Sequence, residues 1–235
     1  MMNAVSANTR ATYNQAWQIF SEFREKLGFD TGRPASLEQV ANFIGWLSLS
    51  GRAPSTIGAY VAGVGFFHKI KYASDPTAHC VVQQLLKGAR REHRQPDSRA
   101  AMHGVLFEKF LAVLPRIVSS AYEVLLFKAA LALGFFGFMR LGEFTSAGAR
   151  GASPLAAGDV TVRGSSEVVV SIRKSKNNQC GDAQTLRLPA SRAKSRPCPV
   201  RILTEFARIR PPNTQAFLCH FDGTSLTRYQ FQALI

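Results

Sequence analysis

The 235-residue sequence contains only four cysteines, no two of them in a C-x-x-C pair, and no long run of apolar residues. Cysteines in this arrangement predict free thiols in a reducing compartment, with neither a disulfide framework nor a zinc site. The longest apolar stretch, residues 125–139, contains Lys128 and is shorter than the ~20 residues that span a bilayer. The first residues lack the apolar segment of a signal peptide. We therefore expect an intracellular protein that does not associate with a membrane.

Acidic residues are scarce as well, with 15 Asp and Glu against 29 Lys and Arg, and the net charge is +14. Before residue 96 there are 11 basic and 6 acidic residues, and from there on 18 and 9. Self-repulsion of this size is tolerated most often when a polyanion neutralises it. Nucleic acid is therefore the favoured partner, and a solvated basic surface without a ligand is the alternative.

Residues 1–95 are predicted to form a compact bundle of four amphipathic helices. In the first helix, apolar residues recur on one face: Tyr13, Trp17, Phe20 and Leu27. The second opens with a capping box formed by Ser36 and Gln39. Its inward residues are Val40, Phe43, Ile44 and Leu47.

The third and fourth helices begin at further capping signals. Ser55 is predicted to cap the third helix, with Ile57, Tyr60, Val61 and Val64 inward. Asp75 followed by Pro76 starts the fourth. The polar, basic stretch 90–99 leads into a linker at 96–104, which separates the bundle from a second domain at 105–235.

The second domain combines helices with short strands. Helices are predicted at 105–118 and 121–143, strands at 160–162, 167–172 and 185–188, and further helices from Pro199 and after the Thr227–Gln230 cap. The last two strands flank an Asn- and Gly-containing hairpin turn. The predicted fold class is mainly α with a small antiparallel β-meander, in which the helical bundle precedes an α+β domain.

Two segments carry residues suited to phosphate chemistry. Arg140 lies at the end of the most apolar predicted helix, with Glu143 one turn later. The pair is either a structural ion pair or a phosphate clamp, because an arginine fork offers parallel donors to phosphate oxygens. Lys174 and Lys176 lie on the predicted hairpin, where they are either solvated or directed into a groove.

The order of these motifs resembles that of the tyrosine recombinases, the phage-integrase family, and most closely the integrases of eukaryotic retroelements and DNA transposons. The segment FFGFMRLGEFT (135–145) is similar to the box of the first catalytic arginine, and 171–188 to the β-hairpin lysine box. Segments 55–69 and 75–91 are similar to parts of the family's core-binding domain. The resemblance implies that the bundle is the DNA-binding core-binding domain, followed by the N-terminal half of the catalytic domain.

The resemblance also implies roles for individual residues. Arg140 would stabilise charge on the scissile phosphate, Glu143 would support it, and Lys176 would act as general acid toward the leaving 5′-oxygen. Lys174 is the close alternative, since hairpin register is the least certain feature. Double-stranded DNA is the implied partner, with a homo-oligomer on the DNA and a nuclear location in a eukaryotic host. No cofactor or metal is implied, because a phosphotyrosine link conserves the bond energy for rejoining.

The sequence departs from the family's pattern in its last part. The family needs an H-x-x-R box, a further His or Trp and a tyrosine nucleophile. After Arg140 the only histidine is His220, followed three residues later by Gly223, and the only tyrosine is Tyr229. Tyr229 precedes the place where the H-x-x-R box should begin, and we expect it to be a packing residue. We therefore expect the sequence to stop before the second half of the catalytic domain, and the chain alone not to cleave DNA.

Basic side chains of the bundle and the linker are the expected DNA contacts, together with Lys174. They are Arg10, Arg52, Lys69, Lys71, Lys87, Arg90, Arg91 and Arg94. Two other hypotheses stay open. The chain is either a duplex-DNA-binding module that never cuts, as a degenerate or domesticated recombinase, or a basic helical RNA-binding protein whose motifs match by chance.

Overall fold

The computed structural model describes residues 5–32, 34–72, 74–92, 101–148, 154–173, 183–193 and 196–234. The chain divides into two compact units, residues 1–99 and 100–235. Each unit has its own hydrophobic cluster. No helix within the described ranges is long and apolar enough to cross a membrane.

The first unit is a bundle of helices. Its elements are α1 (Ala7–Lys26), α2 (Leu37–Leu49), α3 (Pro54–Tyr72), a 3₁₀ turn (Pro76–Ala78) and α4 (Cys80–Glu92). The capping box of Ser36 and Gln39 is confirmed, since each side chain bonds the other's backbone N–H. The eight residues predicted to point inward from α2 and α3 are all buried.

Three details of the bundle differ from the prediction. Leu27 is 52% exposed, because α1 ends at Lys26 and Leu27 is its C-cap residue rather than a member of its buried face. Ser55 is not a cap, because Pro54 is already the first helical residue. Asp75 does accept a hydrogen bond from the Thr77 N–H, but it starts the 3₁₀ turn that precedes α4 rather than α4 itself.

The second unit packs helices against a three-stranded sheet, which confirms the predicted fold class. Its helices are α5 (Gly104–Ile117), α6 (Ala121–Gly137), α7 (Leu141–Phe144), α8 (Pro199–Ile209) and α9 (Arg228–Leu234). Its strands are β1 (Val160–Arg163), β2 (Glu167–Ile172) and β3 (Gln184–Pro189). They form an antiparallel meander in the order β1-β2-β3, with Val170 opposite both Val160 and Leu186.

The predicted continuous helix at 121–143 is wrong, because α6 ends at Gly137. Phe138 takes a left-handed conformation (φ 49°, ψ 29°) and is 90% exposed. A Cβ on Gly137 would lie 2.9 Å from Cδ2 of Leu186 on β3, so the glycine lets the end of α6 approach the sheet closely without displacing that side chain. The helix therefore stops at the sheet, and the chain enters α7 through a turn that contains Arg140.

The core of the second unit surrounds α6, whose central residues are buried on all sides. Helix α8 packs on α6 and on the sheet, and its predicted inward residues Val200, Leu203 and Phe206 are buried. Phe231 of α9 packs edge-on against Phe144 of α7, with ring centroids 5.5 Å apart. This contact places α9 beside the turn that holds Arg140.

Candidate functional site

The Arg140–Glu143 pair is the centre of the candidate site. One carboxylate oxygen of Glu143 accepts the Arg140 backbone N–H at 2.8 Å, and the other accepts Nη1 of the guanidinium at 3.2 Å. Glu143 is 8% exposed, whereas the Arg140 side chain is 56% exposed. The buried carboxylate thus holds the arginine from behind and leaves most of its five N–H donors facing outward.

The structural ion pair is formed, and it also orients the guanidinium. Among the described residues, no acceptor other than Glu143 bonds the Arg140 guanidinium. The free edge of the fork can bind two oxygens of a phosphate group.

Replacing Glu143 by alanine is expected to lower the free energy of unfolding by about 1–2 kcal/mol, because the Arg140 N–H loses its charged acceptor. The partly exposed ion pair itself contributes little to this loss. Urea denaturation measures the effect, with Glu205→Ala on the exposed face of α8 as the control. Equal stabilities of the two variants would show that Glu143 does not organise this turn.

Helix α9 begins directly beside α7. Ser146 accepts the backbone N–H of Arg228 at 3.0 Å and donates its own to Leu226 at 3.0 Å. The predicted cap of α9 is confirmed, since Thr227 Oγ1 accepts the N–H of Gln230 and Gln230 Oε1 accepts the N–H of Thr227. The backbone of Arg228, a residue that the sequence did not single out, is thereby held at Ser146, two residues after the end of α7.

Tyr229 is not the packing residue that the sequence predicts, because it is 80% exposed. In the seven-residue helix α9 the apolar position is taken by Phe231, so Tyr229 faces outward. The other tyrosine of this unit, Tyr122, donates its hydroxyl to the Cys219 carbonyl at 2.8 Å. Burial raises the pKa of Tyr122, which keeps the phenol protonated.

His220 has a structural role. Its Nδ1 lies 2.9 Å from both carboxylate oxygens of Glu123 at the start of α6, and its Nε2 lies 3.2 Å from Gln230 Oε1. That same oxygen accepts the N–H of Thr227. His220 therefore connects α6 to the cap of α9.

The basic residues expected to contact DNA from the first unit are exposed wherever the structure describes them. These are Arg10, Arg52, Lys69, Lys71, Lys87, Arg90 and Arg91. Lys69 forms an ion pair with Asp75 at 3.2 Å, and the Lys71 ammonium lies over the rings of Trp17 and Phe67.

On α4, residues 87, 90 and 91 lie three and four positions apart, and side chains at this spacing share one helix face. Three expected site residues, Arg94, Lys174 and Lys176, lie outside the described residues.

Within the described ranges, no group of three His, Cys, Asp or Glu side chains is placed to hold a metal ion. Cys80, Cys198 and Cys219 are free. Burial by itself raises the pKa of Cys198, but hydrogen bonds from backbone N–H groups at the start of α8 and from Ser191 outweigh it, so the pKa is lowered overall.

No protein-family model and no curated protein sequence matches this chain. Its fold does match solved structures. The integrase of transposon Tn1549, in complex with circular-intermediate DNA, is 13% identical with a TM-score of 0.62, over 99% of this chain and 73% of that one. The XerH site-specific recombinase bound to difH, in a pre-cleavage complex, is 17% identical with a TM-score of 0.54, over 96% of this chain and 61% of that one.

A second XerH structure, a post-cleavage complex with palindromic difH, is 16% identical with a TM-score of 0.52 and is matched over 59% of its length. This chain therefore has the fold of these integrases and recombinases. It spans between 59% and 73% of the length of the three structures.

Proposed function

We propose that this chain is the DNA-binding part of a site-specific tyrosine recombinase, a protein that joins and separates DNA segments by strand breakage and rejoining. The observation that carries the proposal is the shared fold, which extends over 94–99% of the chain in structures bound to DNA. The net charge of +14 supports it, because a polyanion would neutralise the self-repulsion. Residues 1–95 would act as the core-binding domain and 105–235 as the first half of the catalytic domain.

In this proposal Arg140 binds the scissile phosphate. Its exposed fork, held from behind by Glu143, is the described arrangement best suited to that task. Lys176, with Lys174 as the alternative, would protonate the leaving 5′-oxygen. The likeness of its motifs to those of integrases from mobile elements in eukaryotes supports action in the nucleus and assembly of several copies on DNA.

The 235-residue sequence contains no H-x-x-R box, and its only tyrosine after Arg140 is Tyr229. We propose that this chain by itself binds DNA without cutting it. A covalent step needs a tyrosine nucleophile, and loss of a single donor to the developing charge costs about 10²–10³ in rate.

The test is a binding titration of a labelled DNA duplex, with a double-stranded RNA of the same sequence as competitor. The proposal requires duplex DNA to bind and RNA to compete weakly, since A-form RNA presents a different groove geometry. Preferential binding of RNA would support an RNA-binding protein instead and overturn the proposal.

A nicked suicide substrate separates the recombinase from the alternative, a module that evolved to bind DNA without cutting. The substrate is incubated with this chain alone and then with the chain extended by any residues that follow Ile235 in its reading frame. A covalent adduct with the extended chain supports the recombinase. The absence of an adduct from a chain that contains H-x-x-R and a tyrosine supports the non-catalytic module.

A further inference from the structure

Arg228 reaches back from α9 onto the turn that carries Arg140. A Cβ built on Gly142 would lie 2.8 Å from Nη2 of Arg228, closer than real contacts allow. The guanidinium therefore rests directly on the bare backbone of Gly142, two residues after Arg140. A side chain at this position would have to push the guanidinium aside.

The position of Arg228 is set by the backbone. Its N–H donates to Ser146 at 3.0 Å, and Thr227 pairs with Ser146 as an isolated parallel bridge. The cap by Thr227 and Gln230 then determines the direction in which α9 leaves. The Cα atom of Arg228 is thus held beside the α7 turn by main-chain hydrogen bonds. These bonds do not depend on the charge of the side chain.

The charge of Arg228 is not neutralised there. Over the described part of the chain, no carboxylate forms an ion pair with Arg228, whereas Arg140 is paired with the buried Glu143. Arg228 is exposed, and a guanidinium stays protonated at any physiological pH. Its charge is therefore available to an anion that approaches the turn carrying Arg140.

We propose that Arg228 is a second phosphate-binding residue of this site, contacting the backbone of duplex DNA beside the phosphate that Arg140 binds. The inference rests on the proposed function and adds a residue to the binding surface. The ligand is a phosphodiester, because two arginines at one turn match the repeated negative charge of a DNA strand. Arg228 is a ground-state binding residue here, with no part in a chemical step.

Two substitutions test the proposal, one at Arg228 itself and one at the glycine that its guanidinium contacts. Arg228→Ala removes the charge. Gly142→Ala keeps every charge, but its methyl group forces the guanidinium away from the turn. Arg228→Ala is expected to weaken binding of a labelled duplex by about tenfold at low salt, the range for a charge-assisted hydrogen bond, and to lower the slope of log K against log salt by about 0.9. Gly142→Ala is expected to weaken binding in the same direction but by less, because the displaced guanidinium ends a flexible side chain and keeps its charge.

Two matched controls show whether a loss of DNA affinity is specific to the Arg228–Gly142 contact or follows from any loss of an arginine or any added methyl group. Arg208→Ala removes an exposed arginine on α8 that forms no ion pair with any described residue, and Gly104→Ala adds a methyl group where nothing lies within 4 Å. Both should bind with nearly the wild-type affinity. Near-UV circular dichroism verifies that each variant is folded, and Arg228→Lys, which keeps the charge, should recover part of the affinity.

The double variant, Gly142→Ala with Arg228→Ala, shows whether both substitutions weaken DNA binding through the Arg228 guanidinium or through separate effects. If Gly142→Ala acts by displacing Arg228, it has no further effect on a chain that already carries Arg228→Ala. The inference is overturned if Arg228→Ala binds like Arg208→Ala, or if affinity falls without a change in salt slope, which would indicate a base contact. Failure of the wild-type chain to bind duplex DNA at all would overturn the proposed function and this inference with it.

Discussion

Raising the salt concentration from about 50 to 200 mM is expected to weaken binding of this chain to duplex DNA by about three to four powers of ten. The expectation assumes about six to eight phosphate contacts, each of which contributes about −0.9 to the slope of log K against log salt as counterions are released. The exposed basic side chains of the first unit and the Arg140 turn offer that number of cations.

Fluorescence anisotropy with a labelled duplex, repeated across the salt range, measures the slope. A variant with both Lys87→Ala and Arg91→Ala should lower it by nearly two, because these side chains share one face of α4. Arg116→Ala, an exposed position of α5, provides the comparison outside the proposed surface. An affinity independent of salt would contradict the phosphate-contact model.

The second large effect concerns the stability of the first unit. Phe43→Ala is expected to lower its free energy of unfolding by about 3–5 kcal/mol, because the substitution leaves a cavity that the bundle fills only in part. The ring is fully buried, and its centroid lies 5.0 Å from that of Phe20, 5.2 Å from that of Phe23 and 6.1 Å from that of Trp46.

Tryptophan fluorescence reports on this unit, because Trp17 and Trp46 are the only tryptophans in the chain and both belong to its cluster. Urea titration followed by fluorescence and by far-UV circular dichroism yields the free energy. The matched control is Leu49→Ala, whose side chain is 92% exposed and should change stability by under about 0.5 kcal/mol. A loss for Phe43→Ala no larger than that of the control would mean that Phe43 is not part of the core.

Most secondary structure could be predicted because its causes are local. The Ser36 and Thr227 caps depend on side chains within three residues, and the run of three valines in β2 is visible in a six-residue window. The end of α6 could not be predicted, because Phe138 and Met139 continue the apolar pattern of the helix. The helix stops where Gly137 meets Leu186, a residue almost fifty positions away.

In the candidate site, too, some features follow from the sequence and others only from the tertiary structure. Arg140 and Glu143 are three residues apart, so their pairing follows from sequence spacing, whereas the burial of one partner and the exposure of the other do not. Tyr229 shows the opposite case, in which a predicted packing residue is exposed because Phe231 takes the apolar position of the short helix α9.

By itself, the sequence determined the charge that favours a polyanion, the helical bundle, the β-meander and the motif that centres on Arg140. Tertiary structure alone decided that Arg228 lies on Gly142, more than eighty residues away. The reason is physical. Charge, caps and periodicity are properties of short segments, whereas this approach requires α9 to be anchored at Ser146 and a glycine at the point where the two segments meet.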